Sequence, residues 1–154
     1  MTKKIVFLIF AFIFINQCGY EPIYSSKNIN FDIDKINTSG NLKTSKTLKK
    51  NIENFGNKTS QSKKIDLNIF TDVSKNITSK DKKGNPKTFS LVVTVKITVK
   101  NKKEQLVEKD FSQSSSYSNN NNKFDLKKYE NSLLKNITEK ISQDVLLYLQ
   151  GLNI

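Results

Sequence analysis

From Phe89 to Val99 every second residue is apolar: Phe89, Leu91, Val93, Val95, Ile97 and Val99 share one parity. Side chains of a strand alternate between two faces, so this run specifies a strand with one continuous dry face. The other parity carries Ser90, Val92, Thr94, Lys96, Thr98 and Lys100, which makes the second face largely wet. A chain of 154 residues has room for one domain built on such a sheet.

The remaining elements follow from the same kind of reading. Between Asn28 and Thr38, Ile29, Phe31, Ile33 and Lys35 share a parity, with Asp32 and Asp34 facing away; residues 37–41 then break the strand. Residues 44–57 have helical period, with Leu48, Ile52 and Phe55 in one stripe, Thr44 or Ser45 as N-cap and Gly56 as stop. Residues 57–64 form a polar linker. Ile65, Leu67 and Ile69 begin a second strand that runs to about Ile77 after a shift of face at Phe70. Residues 80–87 are its turn. Residues 101–104 turn the chain again into a strand from Gln105 to Ser116, where Val107 and Phe111 share a parity. After four asparagines at 119–122 comes a long helix, capped by Asp125 and closing at Gly151. Its stripe is Leu126, Tyr129, Leu133, Ile137, Ile141, Val145 and Leu149, widened by Leu134, Leu146, Tyr148 and Leu152. The order strand, helix, three strands, helix predicts an α+β two-layer sandwich, a four-stranded, mainly antiparallel sheet with both helices on one face.

The N-terminus has a different character. Lys3 and Lys4 precede an unbroken apolar run of 11 residues, Ile5 to Ile15. At ~1.5 Å per residue that run covers little more than half of the ~30 Å hydrocarbon core, so it reads as a signal-peptide core rather than a spanning helix. Residues 1–17 are therefore expected to be a signal peptide, residues 18–27 a lipidated N-terminus and tether containing Pro22, and residues 28–154 a single domain. Cys18 is the only cysteine, so an intramolecular disulfide is excluded. Its place directly after the apolar run resembles a bacterial lipobox, although Gln17 stands where a small residue is usual. Two acyl chains, at ~0.8 kcal/mol per buried methylene, anchor stably where one exchanges.

Charge points to anionic partners. The chain carries 26 basic residues, all lysine, against 14 acidic ones and has no His, for a net +12. Loss of residues 1–17 removes two lysines and no acid, leaving 24 against 14, or +10, so the charge belongs to the mature domain. No catalytic residues are assigned. Without His, and with its one Cys committed to lipid, the chain excludes thiol proteases and His-based acid/base sites, and no metal site or cofactor is expected. Asp32 with Asp34 reads as a solvated strand edge. Nucleic acid is not the expected partner, because the aromatics fall at core positions rather than among the lysines.

Two stretches carry a resemblance. Cys18-Gly19-Tyr20-Glu21-Pro22-Ile23-Tyr24 is similar to the opening of the LptE family, the lipopolysaccharide-assembly lipoproteins of Gram-negative bacteria. The serine-rich strand ending at Ser115-Ser116-Tyr117-Ser118, followed by a polar loop and a long final helix, resembles that family's C-terminal part. The family's usual arginines are lysines here. The resemblance implies a non-enzymatic protein lipidated at Cys18 on the periplasmic face of the outer membrane. Its partners would be the LptD β-barrel, which it plugs and helps assemble, and lipopolysaccharide in transit. Candidate contacts to lipid A phosphates are Lys82, Lys83 and Lys87 in the turn, with Lys96 and Lys100 on the wet strand face. The alternative is a lipid-anchored periplasmic adaptor, or an anionic-lipid-binding lipoprotein, with a different protein partner.

Overall fold

A computed structural model describes residues 31–54, 63–101 and 106–152. In chain order the elements are β1 (Phe31–Gly40), α1 (Leu42–Glu53), β2 (Lys63–Lys80), β3 (Pro86–Asn101), β4 (Leu106–Ser118) and α2 (Lys123–Gln150). The expected signal peptide, Cys18 with its tether, Ile29, Phe55, Gly56 and the linker to residue 62, and the turn at 102–105 lie outside the described residues.

The sheet has the order β1-β2-β3-β4, with β1 parallel to β2 and the other two pairs antiparallel. It is the mainly antiparallel α+β sheet expected from the element order. All six residues of the alternating run on β3 are buried, and they meet Leu48 and Ile52 of α1 and Ile137, Ile141, Val145 and Leu149 of α2 in one core. Fully burying a Val, Leu or Ile side chain contributes roughly 1.5–3 kcal/mol relative to leaving it exposed, so this dry face is the main source of cohesion between the two layers. Asn51 of α1 donates to Ser142 Oγ of α2 at 3.1 Å and joins the helices above the sheet.

β1 departs from the expected strand in two ways. It continues through residues 37–40, which the polar composition had marked as a break, because ladder hydrogen bonds need no apolar side chains. The outward amide of Asn37 donates to Asn68 Oδ1 at 2.8 Å, so even the polar face is cross-linked. A register shift between Ile33 and Lys35 then exchanges the faces. Ile33 and Ile36 pack on the core, while Lys35, expected to share parity with Ile33, is exposed.

The end of β1 is fixed by one close approach. Gly40 has φ +87°, and a Cβ there would lie 1.9 Å from the carbonyl oxygen of Thr71. The next amide, of Asn41, donates to that same carbonyl at 2.9 Å. The Asn41 side chain accepts from the Thr44 amide at 3.1 Å, making Asn41 the N-cap of α1. Thr44 and Ser45, the expected caps, are buried inside the first turn.

On β2 the expected change of face does not occur. Ile65, Leu67, Ile69 and Thr71 are buried in one unbroken parity, and Phe70 stands half exposed on the outer face. Core parity on β2 admits Thr71 because its hydroxyl donates to the carbonyls of Ser39 and Asn41. α2 is capped by Asn122, whose side chain accepts from the amides of Phe124 and Asp125 at 3.0 and 3.3 Å. Asp125, the expected cap, sits in the first turn, where its charge suits the positive end of the helix dipole. The helix ends at Gly151 as expected. Tyr129, placed on the apolar stripe by periodicity, is 53% exposed. No helix among the described residues is long and apolar enough to cross a membrane.

Candidate functional site

β1 pairs with β2 only as far as Thr71, yet β2 continues to Lys80 and returns through β3. The β2–β3 hairpin therefore extends well past β1, and its turn stands at one end of the molecule. Asp81 builds that turn. Its carboxylate accepts from the Lys83 amide at 2.8 Å, the Asn85 amide at 2.9 Å and the Asn85 side-chain amide at 3.1 Å. The backbone of Asn85 and then its side chain hold the Asp81 pKa below its ordinary value, ahead of the opposing effect of burial. Gly84, at φ +85°, supplies the left-handed residue that the reversal requires. Lys82 and Lys83 are thus presented from a preformed loop, with Lys80 and Lys87 exposed on its two stems.

The loop between β4 and α2 is fastened to the base of this hairpin. Asn119 donates its backbone amide to Lys87 O and its side-chain amide to Pro86 O, both at 2.8 Å. Lys123, in the first turn of α2, reaches back to Asn119 Oδ1 and Asn120 O. Phe124 beside it is 76% exposed. An open cleft of about 800 Å³ lies at the same junction, with Tyr117 and Tyr129 among its walls and the asparagine run along its rim.

Lys82, Lys83 and Lys87, singled out from sequence, are brought together at this end. Lys96 and Lys100 are not. Lys100 is thirteen residues further along β3 than Lys87, about 43 Å at ~3.3 Å per residue. Lys96 stands on the outer face in a row with Phe70 and Asp110, its ammonium 4.0 Å from the Asp110 carboxylate. Such an exposed pair contributes only about 0–1 kcal/mol. Its effect is to offset one positive charge locally.

Sequence reasoning placed Lys80 in the turn without choosing it as a contact, and it missed Lys123 and Phe124 at the basic end, because their nearness to the turn depends on the Asn119 contacts. It also missed a polar bolt below them. Glu130 of α2 accepts from Lys75 Nζ of β2 and, at 2.7 Å, from the Tyr117 hydroxyl of β4. The same ammonium lies 4.0 Å from the centroid of the Phe89 ring, a cation–π geometry. Burial works to raise the Glu130 pKa, but the two donors and the nearby lysine charge outweigh it and the net shift is downward. Burial first, and the Glu130 acceptor second, push the Tyr117 phenol well above its ordinary value. The one available signal was Tyr117 itself, an aromatic closing a run of serines.

The fold and this end together define a small α+β domain whose β2–β3 hairpin ends in a lysine-rich turn. The chain belongs to the LptE family of lipopolysaccharide-assembly proteins, whose family model matches residues 32–149. It is similar in fold to the rare lipoprotein B of Shewanella oneidensis, with a TM-score of 0.60 at 10% identity over 75% of this chain and 93% of that one. A lipoprotein B from Nitrosomonas europaea gives 0.55 at 16% identity, covering 75% and 81%. A minor lipoprotein from Acinetobacter baumannii gives 0.54 at 11%, covering 76% and 90%. No curated protein sequence matches the chain.

Proposed function

We propose that this chain is lipidated at Cys18 on the periplasmic face of the outer membrane, plugs and helps assemble the LptD β-barrel, and contacts lipopolysaccharide during its transport. The observation that carries the reading is the Asp81-locked turn, which holds Lys82 and Lys83 outward at the end of a hairpin that extends past β1. Lysine ammoniums on a fixed turn suit lipid A phosphates, whose positions vary with the conformation of the glycolipid. Phe124 and the cleft beside Tyr129 add apolar and polar surface next to that charge. Lys96 and Lys100 remain candidates for a second contact along the outer face of β3. The role is one of binding and positioning, without chemistry on the ligand.

Replacing Lys82, Lys83 and Lys87 together by Glu tests the proposal. Binding to lipopolysaccharide aggregates should fall by an order of magnitude or more, with far-ultraviolet circular dichroism unchanged. Undiminished binding would remove the turn from the contact. Equal binding of the wild-type chain to phosphatidylglycerol vesicles would favour the broader reading of an anionic-lipid binder.

A further inference from the structure

The stretch of β2 beyond β1 has one paired side and one open side. Thr71 directs its carbonyl toward β1, where it accepts from Asn41. Backbone polar groups of a strand alternate in direction with period two. The N–H and C=O groups of Val73, Lys75 and Ile77 therefore point to the same side, where β1 has already ended. Their neighbours Asp72, Ser74 and Asn76 direct theirs into the ladder with β3. Among the described residues no backbone group pairs with the outward set, and α2 packs on β3 and β4 rather than along β2.

An edge of this kind invites another strand. Natural edges are usually short, kinked or guarded by lysines that project into the approach. Here the register is regular from Thr71 to Ile77, and the first irregularity comes only after Ile77. Lys75, the one lysine within the open stretch, is drawn under the sheet onto Glu130 and Phe89 instead of standing guard. Ile77 is half exposed beside the open backbone and offers an apolar contact to an incoming side chain. Lys80, Lys82 and Lys83 lie at the end of the same edge, where Asp81 is consumed by its own turn.

We infer that the β2 edge from Val73 to Ile77 is a strand-addition site for an extended, acidic segment of a partner polypeptide, its carboxylates lying beside Lys80, Lys82 and Lys83. Charge selects the occupant. A second copy of this chain would bring another surplus of lysines to the edge and is repelled, whereas an acidic strand complements the basic end. The strand pairing itself uses backbone groups that the glycolipid contact does not, while the acidic end of the segment shares Lys82 and Lys83 with that contact.

The probe is a synthetic ten-residue peptide of alternating valine and threonine with three glutamates at its N-terminal end, and a second peptide with lysines in their place. Both are titrated against the full-length chain in mild detergent, with amide hydrogen exchange followed by NMR. The glutamate peptide should bind and slow exchange at Val73, Lys75 and Ile77, leaving the already paired amides of Ser74 and Asn76 unchanged. Ile77→Pro removes one outward N–H at a position where an edge tolerates proline. It should weaken the peptide about tenfold, as expected for one lost backbone hydrogen bond, with the circular dichroism spectrum and lipopolysaccharide binding unaltered. Absence of binding up to about 1 mM, or binding without protection of those three amides, overturns the proposal. Equal affinity for the lysine peptide overturns its acidic specificity.

Discussion

Gly40 and the Glu130 cluster show how single residues set the limits of this fold. At Gly40 the obstacle to any side chain is the backbone of Thr71, which has no rotamer by which to move aside. Gly40→Ala combines a left-handed backbone with a steric clash and should cost about 2–4 kcal/mol, read as a lower urea midpoint with an unchanged slope. Glu130 and Tyr117 predict a pH window. A carboxyl whose folded pKa is depressed contributes stability above its unfolded value of about 4.3, and that contribution is lost as pH falls through the folded value. A phenol whose folded pKa is raised contributes fully below about 10 and loses its contribution as pH rises beyond that. Thermal midpoints should therefore decline on both sides, the acid limb flattening in Glu130→Gln and the alkaline limb in Tyr117→Phe. Unchanged limbs in those variants would show that the cluster does not govern the window.

At the scale of elements, the places where sequence and structure part company have a common cause. The strict parity of β3 and the long apolar stripe of α2 were legible because burial imposes period, and period survives without knowledge of neighbours. Caps were not, since Asn41 and Asn122 compete with Thr44, Ser45 and Asp125, nearby residues of similar propensity, and the winner is decided by where the incoming chain turns into the helix. For α2, Asn122→Ala should cost about 1 kcal/mol, the usual value of a cap, while Asp125→Ala should cost only about 0.3–1. Comparable midpoints for the two variants in thermal melts would contradict Asn122 as the cap. The continuation of β1 through polar residues, and the exposure of Phe70, were hidden for a related reason. Both depend on a neighbouring strand that carries the hydrogen bonds, and that neighbour is distant in sequence.

Across the whole molecule, the five candidate lysines were legible as charge but not as an arrangement. Lys82, Lys83 and Lys87 share a turn visible in sequence, and their distance from Lys100 follows from the length of β3 alone, whereas their proximity to Lys123 required the Asn119 contacts. The parallel pairing of β1 with β2 has a consequence at this scale. Because the two strands start together, at Phe31 and Lys63, the chain enters the domain at the end opposite the Asp81 turn. β2 runs 18 residues between those ends, about 56 Å at ~3.3 Å per residue, nearly twice the ~30 Å depth of a bilayer's hydrocarbon. β2 thus acts as a ruler: its length sets how far the lysine turn proposed as a contact stands from the point where the chain enters the domain, and so from a membrane to which that end would be tethered under the proposed anchor.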